Sequence, residues 1–323
     1  MMARPVASLS LDLDNLWSYM KTHGDPAWSS LPTYLPVVVP RLLDLFSEFS
    51  LRSTVFVVGQ DTEIDENADA LASITAAGHE VGNHSFHHEP WLHRYSREKL
   101  VEELTRTADG LEKVTGQRPT GFRGPGYSLS PTLLEVLAEL GYGYDCSTLP
   151  TWIGPLARAY YFRSAKLDAQ QREERKHLFG SARDGMQPVR PYRWADRNGV
   201  IEIPVTTMPL SRLPMHVSYV LYMHGVSPAA ARAYFKTALR MCRLRGVGPS
   251  ILLHPLDLLD ATDAPGVGFF PGMGLPAARK IDVVRWCVRE LTRHFDVKGT
   301  REHAAVLGGQ SLKARPPALT ATG

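Results

Sequence analysis

Three short stretches of this sequence set metal-ligating and acid–base side chains at spacings that suit chemistry on a single bond. Ser10-Leu11-Asp12-Leu13-Asp14-Asn15 places two carboxylates two residues apart. In an extended chain alternate side chains share a face, so Asp12 and Asp14 would point the same way, roughly 7 Å apart along the strand. Carboxylates that close repel unless one binds a cation and the other meets a positive group. A plain turn at Asp14-Asn15 is the other reading open at this point. Next comes Asn83-His84-Ser85-Phe86-His87-His88. His84 and His88 stand four apart, which on a helical turn would put both imidazoles on one side. Two imidazoles with one carboxylate leave coordination positions open, as a catalytic metal site requires. His87 and His93 lie nearby and read as surface or supporting residues.

Two further stretches supply charge and protons. Phe122-Arg123-Gly124-Pro125-Gly126-Tyr127 offers a guanidinium that could pair with a carboxylate, followed by glycines that let the backbone approach a ligand. An ordinary Gly/Pro turn is the plainer alternative. Ile251-Leu252-Leu253-His254-Pro255-Leu256-Asp257 puts a histidine just past a buried apolar run, where it could serve as a general acid. A core histidine with a satisfied hydrogen bond would look the same in sequence.

The elements that must hold these residues can be read from periodicity. Short apolar runs at 5–11, 54–58, 80–83, 120–123, 142–145, 201–205 and 250–254 read as strands. Amphipathic helices are predicted over 35–50, 65–77, 96–115, 130–140, 228–245 and 276–295. Ser130-Pro131 carries a helix-start signature, and Gly78, Gly116 and Gly141 stand where helices end. Strands alternating with helices imply a parallel sheet, open or closed into a barrel, with sites just past the strand ends. Residues 151–198 break the rhythm with charged runs and scattered aromatics, and read as an inserted lid-like segment. The expected organisation is one catalytic domain over 1–305, with that insertion, and a disordered tail over 306–323.

Composition excludes several classes. With 323 residues, 44% hydrophobic and 21% charged, the chain can bury a large core. A net charge of +3 without a dense basic block argues against a nucleic-acid partner. Cys146, Cys242 and Cys287 lack metal or disulfide spacing and read as free thiols. No stretch of about 18 apolar residues suggests a membrane span. The start of the chain lacks a secretory signal pattern. The expected location is therefore the cytoplasm, with peripheral membrane contact left open.

Taken in order, SLDLDN, HSFHH, FRGPGY and LLHP resemble the motif series of the polysaccharide deacetylases, the NodB-homology or carbohydrate esterase family 4 group. The resemblance spans about residues 5 to 295 with gaps. The Asp-x-Asp form of the first motif is similar to the branch with intracellular peptidoglycan deacetylase-like and allantoinase-like members. The resemblance implies a distorted (β/α)7 barrel and one divalent ion held by Asp14, His84 and His88, with zinc favoured over cobalt, manganese or nickel. It implies Asp12 as general base, Arg123 as the residue that holds it, Pro125 and Tyr127 at the oxyanion site, and His254 as general acid. For the group that orients His254, Asp145, Glu202 and Asp257 all remain candidates. The implied substrate is an N-acylated amino sugar, on a lipid, nucleotide or oligosaccharide. A ureide such as allantoin, or a metal-free carbohydrate-binding role, are the alternatives.

Overall fold

The computed structural model describes residues 4–316 except 166, 177, 179, 180 and 196–198. Its strands are β1 (Val6–Leu13), β2 (Thr54–Val57), β3 (Glu80–Asn83), β4 (Gly121–Phe122) and β5 (Tyr144–Asp145). They continue with β6 (Tyr192–Trp194), β7 (Ile201–Glu202), β8 (Ser250–Leu253), β9 (Asp296–Lys298) and β10 (Ala314–Arg315). β1 sets the geometry. Its apolar members Ala7, Leu9, Leu11 and Leu13 join the main hydrophobic cluster under the helices. The alternate residues Ser8, Ser10 and Asp12 therefore face the other side, where they are equally buried. A strand buried on both faces is what a parallel sheet wrapped by helices demands.

Around β1 the order β8-β1-β2-β3-β4-β5-β7 is parallel throughout. Its two ends are brought together past β7, where Thr206 N donates to Ser250 O at 3.0 Å and Ser250 N to Thr206 Oγ1 at 2.8 Å. These are the same seven runs that periodicity marked as strands. The sheet is a curled α/β barrel of the expected kind, distorted because β4, β5 and β7 hold only two residues each.

The expected helices form at Leu35–Ser47, Ala68–Ala76, Arg97–Thr115, Pro131–Glu139, Pro228–Leu244 and Ala277–His294. Ser130 caps its helix by accepting from Leu133 N, with Pro131 in the first position, as the sequence predicts. Periodicity did not mark the helices Leu16–Thr22, Gly154–Ser164, Ala169–Glu174, Val217–Val226 and Thr300–Gly308. Within 151–198 the structure holds two of these helices and β6, which runs antiparallel to β7. The disordered tail needs correction. Residues 306–308 complete a helix, and Ala314–Arg315 pair with β6, while residues 317–323 lie outside the described part. Among the described residues no helix is long and apolar enough to cross a membrane.

Candidate active site

Asp14 follows directly on β1 and His84 directly on β3, so two neighbouring strand ends deliver a carboxylate and an imidazole to one point. His88 arrives by a different route from the one its spacing predicts. Residues 84–88 form no helix; the chain turns twice through left-handed backbone, at Ser85 (φ 58°) and His88 (φ 52°). Asn83 Oδ1 accepts from Ser85 N at 2.9 Å, and Glu103 Oε2 accepts from Phe86 N (2.9 Å) and His87 N (3.1 Å). Pinned in this way, the loop folds the two imidazoles to 5.2 Å between ring centroids.

Asp14 Oδ1 lies 3.2 Å from His84 Nε2 and 3.0 Å from His88 Nε2, and all three residues are buried. His84 Nδ1 is 2.7 Å from Arg123 O; as a donor there it leaves the Nε2 lone pair directed at Asp14. Asp14 Oδ1 and His88 Nδ1 have no hydrogen-bond partner among the described residues. A buried carboxylate oxygen facing two imidazole nitrogens at 3.0 and 3.2 Å fits a divalent cation. The O, N, N donor set suits zinc and its neighbours. Burial would raise the Asp14 carboxyl, but His88 and His84 hold it well below the usual carboxylate range. Burial likewise opposes charge on His84, while Asp12 and Asp14 together raise its imidazole.

Asp12 keeps a different partner. Arg123, fully buried, donates from Nη1 to Asp12 Oδ1 at 2.6 Å and to Ser10 Oγ at 3.0 Å, and from Nε to Cys146 O at 3.2 Å. Its guanidinium lies 4.3 Å over the Phe56 ring. Behind it stand Asp145 and Glu202, hydrogen-bonded to each other. Burial and the Asp145 charge push Glu202 far above the carboxylate range, so the pair retains a proton. Ser147 Oγ donates to Asp145 Oδ1 at 2.5 Å and accepts from Gly124 N at 2.8 Å. Asp145 and Glu202 thus support the Arg123–Gly124 corner and do not orient His254.

The Gly124–Tyr127 loop is close-packed. A Cβ on Gly124 would meet Ser128 O at 2.2 Å, and Gly126 (φ 58°) and Tyr127 (φ 63°) are left-handed. Pro125 is buried. Tyr127 N donates to Gly124 O at 2.9 Å, so this N–H closes the turn and does not face the site. Burial, then the Asp12 charge, pushes its phenol up and keeps it protonated.

His254 follows β8, and its N donates to Asp257 Oδ2 at 2.9 Å. Its Nδ1 lies 3.2 Å from Ser218 Oγ, and Ser218 also hydrogen-bonds Asp257. If the hydroxyl donates to Asp257, it accepts from Nδ1–H and leaves Nε2 for substrate. Asp257 is the carboxylate next to His254, acting through Ser218 and the backbone. Ser218 and His216, whose ring is 5.8 Å from that of His254, were missed by sequence reasoning. The helix Val217–Val226 has no one-sided apolar stripe and carries no motif that could have revealed them. His87 pairs with Glu103, and His93 with Ser128 at 3.0 Å; neither joins the metal-ligand group.

The sequence matches the polysaccharide deacetylase family over residues 25–144, a stretch with His84, His88 and Arg123 but without Asp12, Asp14 and His254. Over that stretch the chain is similar to the polysaccharide deacetylases. A Helicobacter pylori peptidoglycan deacetylase is 32% identical over 127 residues, covering 39% of this chain and 41% of that one. A Bacillus subtilis peptidoglycan-N-acetylmuramic acid deacetylase, PdaC, is 33% identical over 90 residues, covering 28% of this chain and 19% of its own length. The chain thus spans less than half the length of these curated relatives. The crystal structure of a candidate polysaccharide deacetylase from Mycobacterium smegmatis superposes with a TM-score of 0.64 at 22% identity, covering 97% of this chain and 94% of that one. That likeness shows a shared fold across nearly the whole chain.

Proposed function

We propose that this protein is a metal-dependent hydrolase that removes the N-acyl group from an amino sugar. One observation carries the reading. Three buried ligand atoms from Asp14, His84 and His88 lie within 4.8 Å of one another, and the adjacent Asp12 carboxylate is held apart from them by Arg123. A divalent ion held by the three, zinc for preference, would polarise the acyl carbonyl and make water easier to deprotonate. Asp12, held by the Arg123 guanidinium at 2.6 Å, takes the proton from the attacking water. The Tyr127 phenol, kept protonated by burial beside Asp12, would be available as a donor to the oxygen on which charge develops. His254 gives its proton to the departing amine, held in one tautomer by Ser218. Without that proton the tetrahedral adduct returns to substrate.

The three cysteines, all buried and unpaired, fit a reducing compartment and so a cytoplasmic site of action. The test is acetate release from N-acetylglucosamine oligomers and from nucleotide- and lipid-linked N-acetylhexosamines, run beside allantoin. Acetate release that needs added divalent metal supports the reading. Turnover of allantoin alone would make the protein a ureide hydrolase.

A further inference from the structure

Six large apolar side chains stand exposed along one stretch of the rim beside the site. Leu156 (65% exposed) and Tyr160 (52%) are one turn apart on the outer face of the helix Gly154–Ser164, and Trp152 (46%) precedes them by four residues. Tyr161, next to Tyr160, is the buried one and packs edge-on against His23 at 5.0 Å between centroids. Other contacts gather more of the patch. Trp152 Nε1 donates to Ser211 O at 2.7 Å, beside Leu210 (68% exposed). A Cβ on Gly185 would come within 3.1 Å of Trp152, which brings Met186 (74% exposed) alongside. Tyr160 OH reaches Phe269 O at 3.4 Å, where the Phe269 ring is 39% exposed.

The segment that supplies most of these side chains is also rich in positive charge. Residues 151–198 hold ten Lys and Arg against five Asp and Glu, while the other 275 residues hold 26 against 28. Arg163 and Arg183 are exposed, three residues along the chain from Tyr160 and Met186 respectively. The rim also touches the metal-ligand loop. Arg175 lies 4.8 Å over the Trp91 ring and reaches Lys21 O at 3.4 Å, and Lys21 Nζ donates to His87 O at 3.0 Å.

We propose that this rim rests on an anionic lipid bilayer, with the mouth of the site at the interface. Exposed aromatic and aliphatic side chains gathered from several elements, with exposed arginines in the same segment, suit a surface that rests on an anionic interface. Leu156, Met186 and Leu210 argue against a soluble glycan as occupant, because sugars stack on flat aromatic rings and gain little from aliphatic chains. A second copy would set the same positive charge against itself. On the deacetylase reading above, one consequence follows: the substrate is an amino sugar carried on a lipid.

The test is co-sedimentation of the full chain with phosphatidylcholine vesicles, with and without phosphatidylglycerol. The wild type should bind the anionic vesicles and release as salt rises. Leu156→Glu/Met186→Glu/Leu210→Glu should lose at least about tenfold in partitioning. The milder Leu156→Ser/Met186→Ser/Leu210→Ser should lose less, and its unchanged melting temperature separates surface loss from misfolding. Both variants should release acetate from a soluble N-acetylglucosamine oligomer at the wild-type rate. Absence of binding to anionic vesicles at low salt, or equal binding by wild type and variants, overturns the proposal. So does a wild-type dimer that the substitutions dissociate, or a raised KM for the soluble oligomer without loss of vesicle binding. Vesicle binding lost in the variants, with no acetate from any substrate, would sink the deacetylase reading and leave the surface standing.

Discussion

Asp12 and Asp14 are two residues apart, yet each is given its task by a different neighbour. Asp12 meets Arg123, and Asp14 meets two imidazoles. Replacing Asp12 by Asn keeps the shape and removes the base, so kcat should fall by about 10² to 10⁴ with the fold intact. Unchanged turnover in Asp12→Asn would mean that another group takes the proton. Ser218 gives a second prediction, because its hydroxyl is the contact that fixes Nδ1 of His254. Ser218→Ala should lower kcat by about tenfold with KM little changed, and Ser218→Thr should recover most of it. Equal losses in Ala and Thr variants would point to packing in place of orientation. Glu202 holds a proton beside Asp145, so Glu202→Gln, which keeps a donor there, should cost far less activity than Glu202→Ala.

At the scale of elements, the loop after β3 depends on Glu103, whose carboxylate accepts from two backbone N–H groups and pairs with His87. Glu103→Ala leaves those buried donors unpaired, which costs about 1–3 kcal/mol per group. The expected result is a lower melting temperature together with weaker metal binding, since His88 is no longer held. A melting temperature equal to wild type would show that the loop is fixed by other contacts. The seven barrel strands could be read from sequence because each is an apolar run between helix signals. Asp14, His84, Arg123 and His254 could be located because they follow strand ends directly. What brings His84 and His88 together could not. Left-handed Ser85 and His88 carry no glycine to announce the turn, and the i,i+4 spacing suggests a helix. Nor could Ser218, since its helix has no one-sided apolar period to read. β6 and β10 escaped because they are short and lie in stretches whose composition suggests insertion and tail.

The whole molecule carries an acid sensitivity of its own. His303, buried against Ser8 Oγ at 3.0 Å, is held down at about 4 by burial. Unfolded, it titrates near about 6.5, so between those values the unfolded chain binds more protons and acid favours unfolding. Its contribution is complete above about pH 6.5 and is lost as pH falls towards 4, on the order of 3 kcal/mol in all. His23, at about 4, and His216, at about 3, titrate in the same direction. The melting temperature should fall on acidification through this window, and His303→Gln should flatten part of that fall. A curve with the same slope in the variant would remove His303 as a cause. The account as a whole turns on the claim that Asp14, His84 and His88 form a metal site distinct from Asp12. The most direct measurement is an equilibrium Co²⁺ titration of the wild type, Asp12→Asn and Asp14→Asn, read by absorption and by metal content. The wild type and Asp12→Asn should each bind one ion per chain, and Asp14→Asn should bind about tenfold or more weakly. Loss of the ion in Asp12→Asn with retention in Asp14→Asn, or no binding by the wild type, would contradict it.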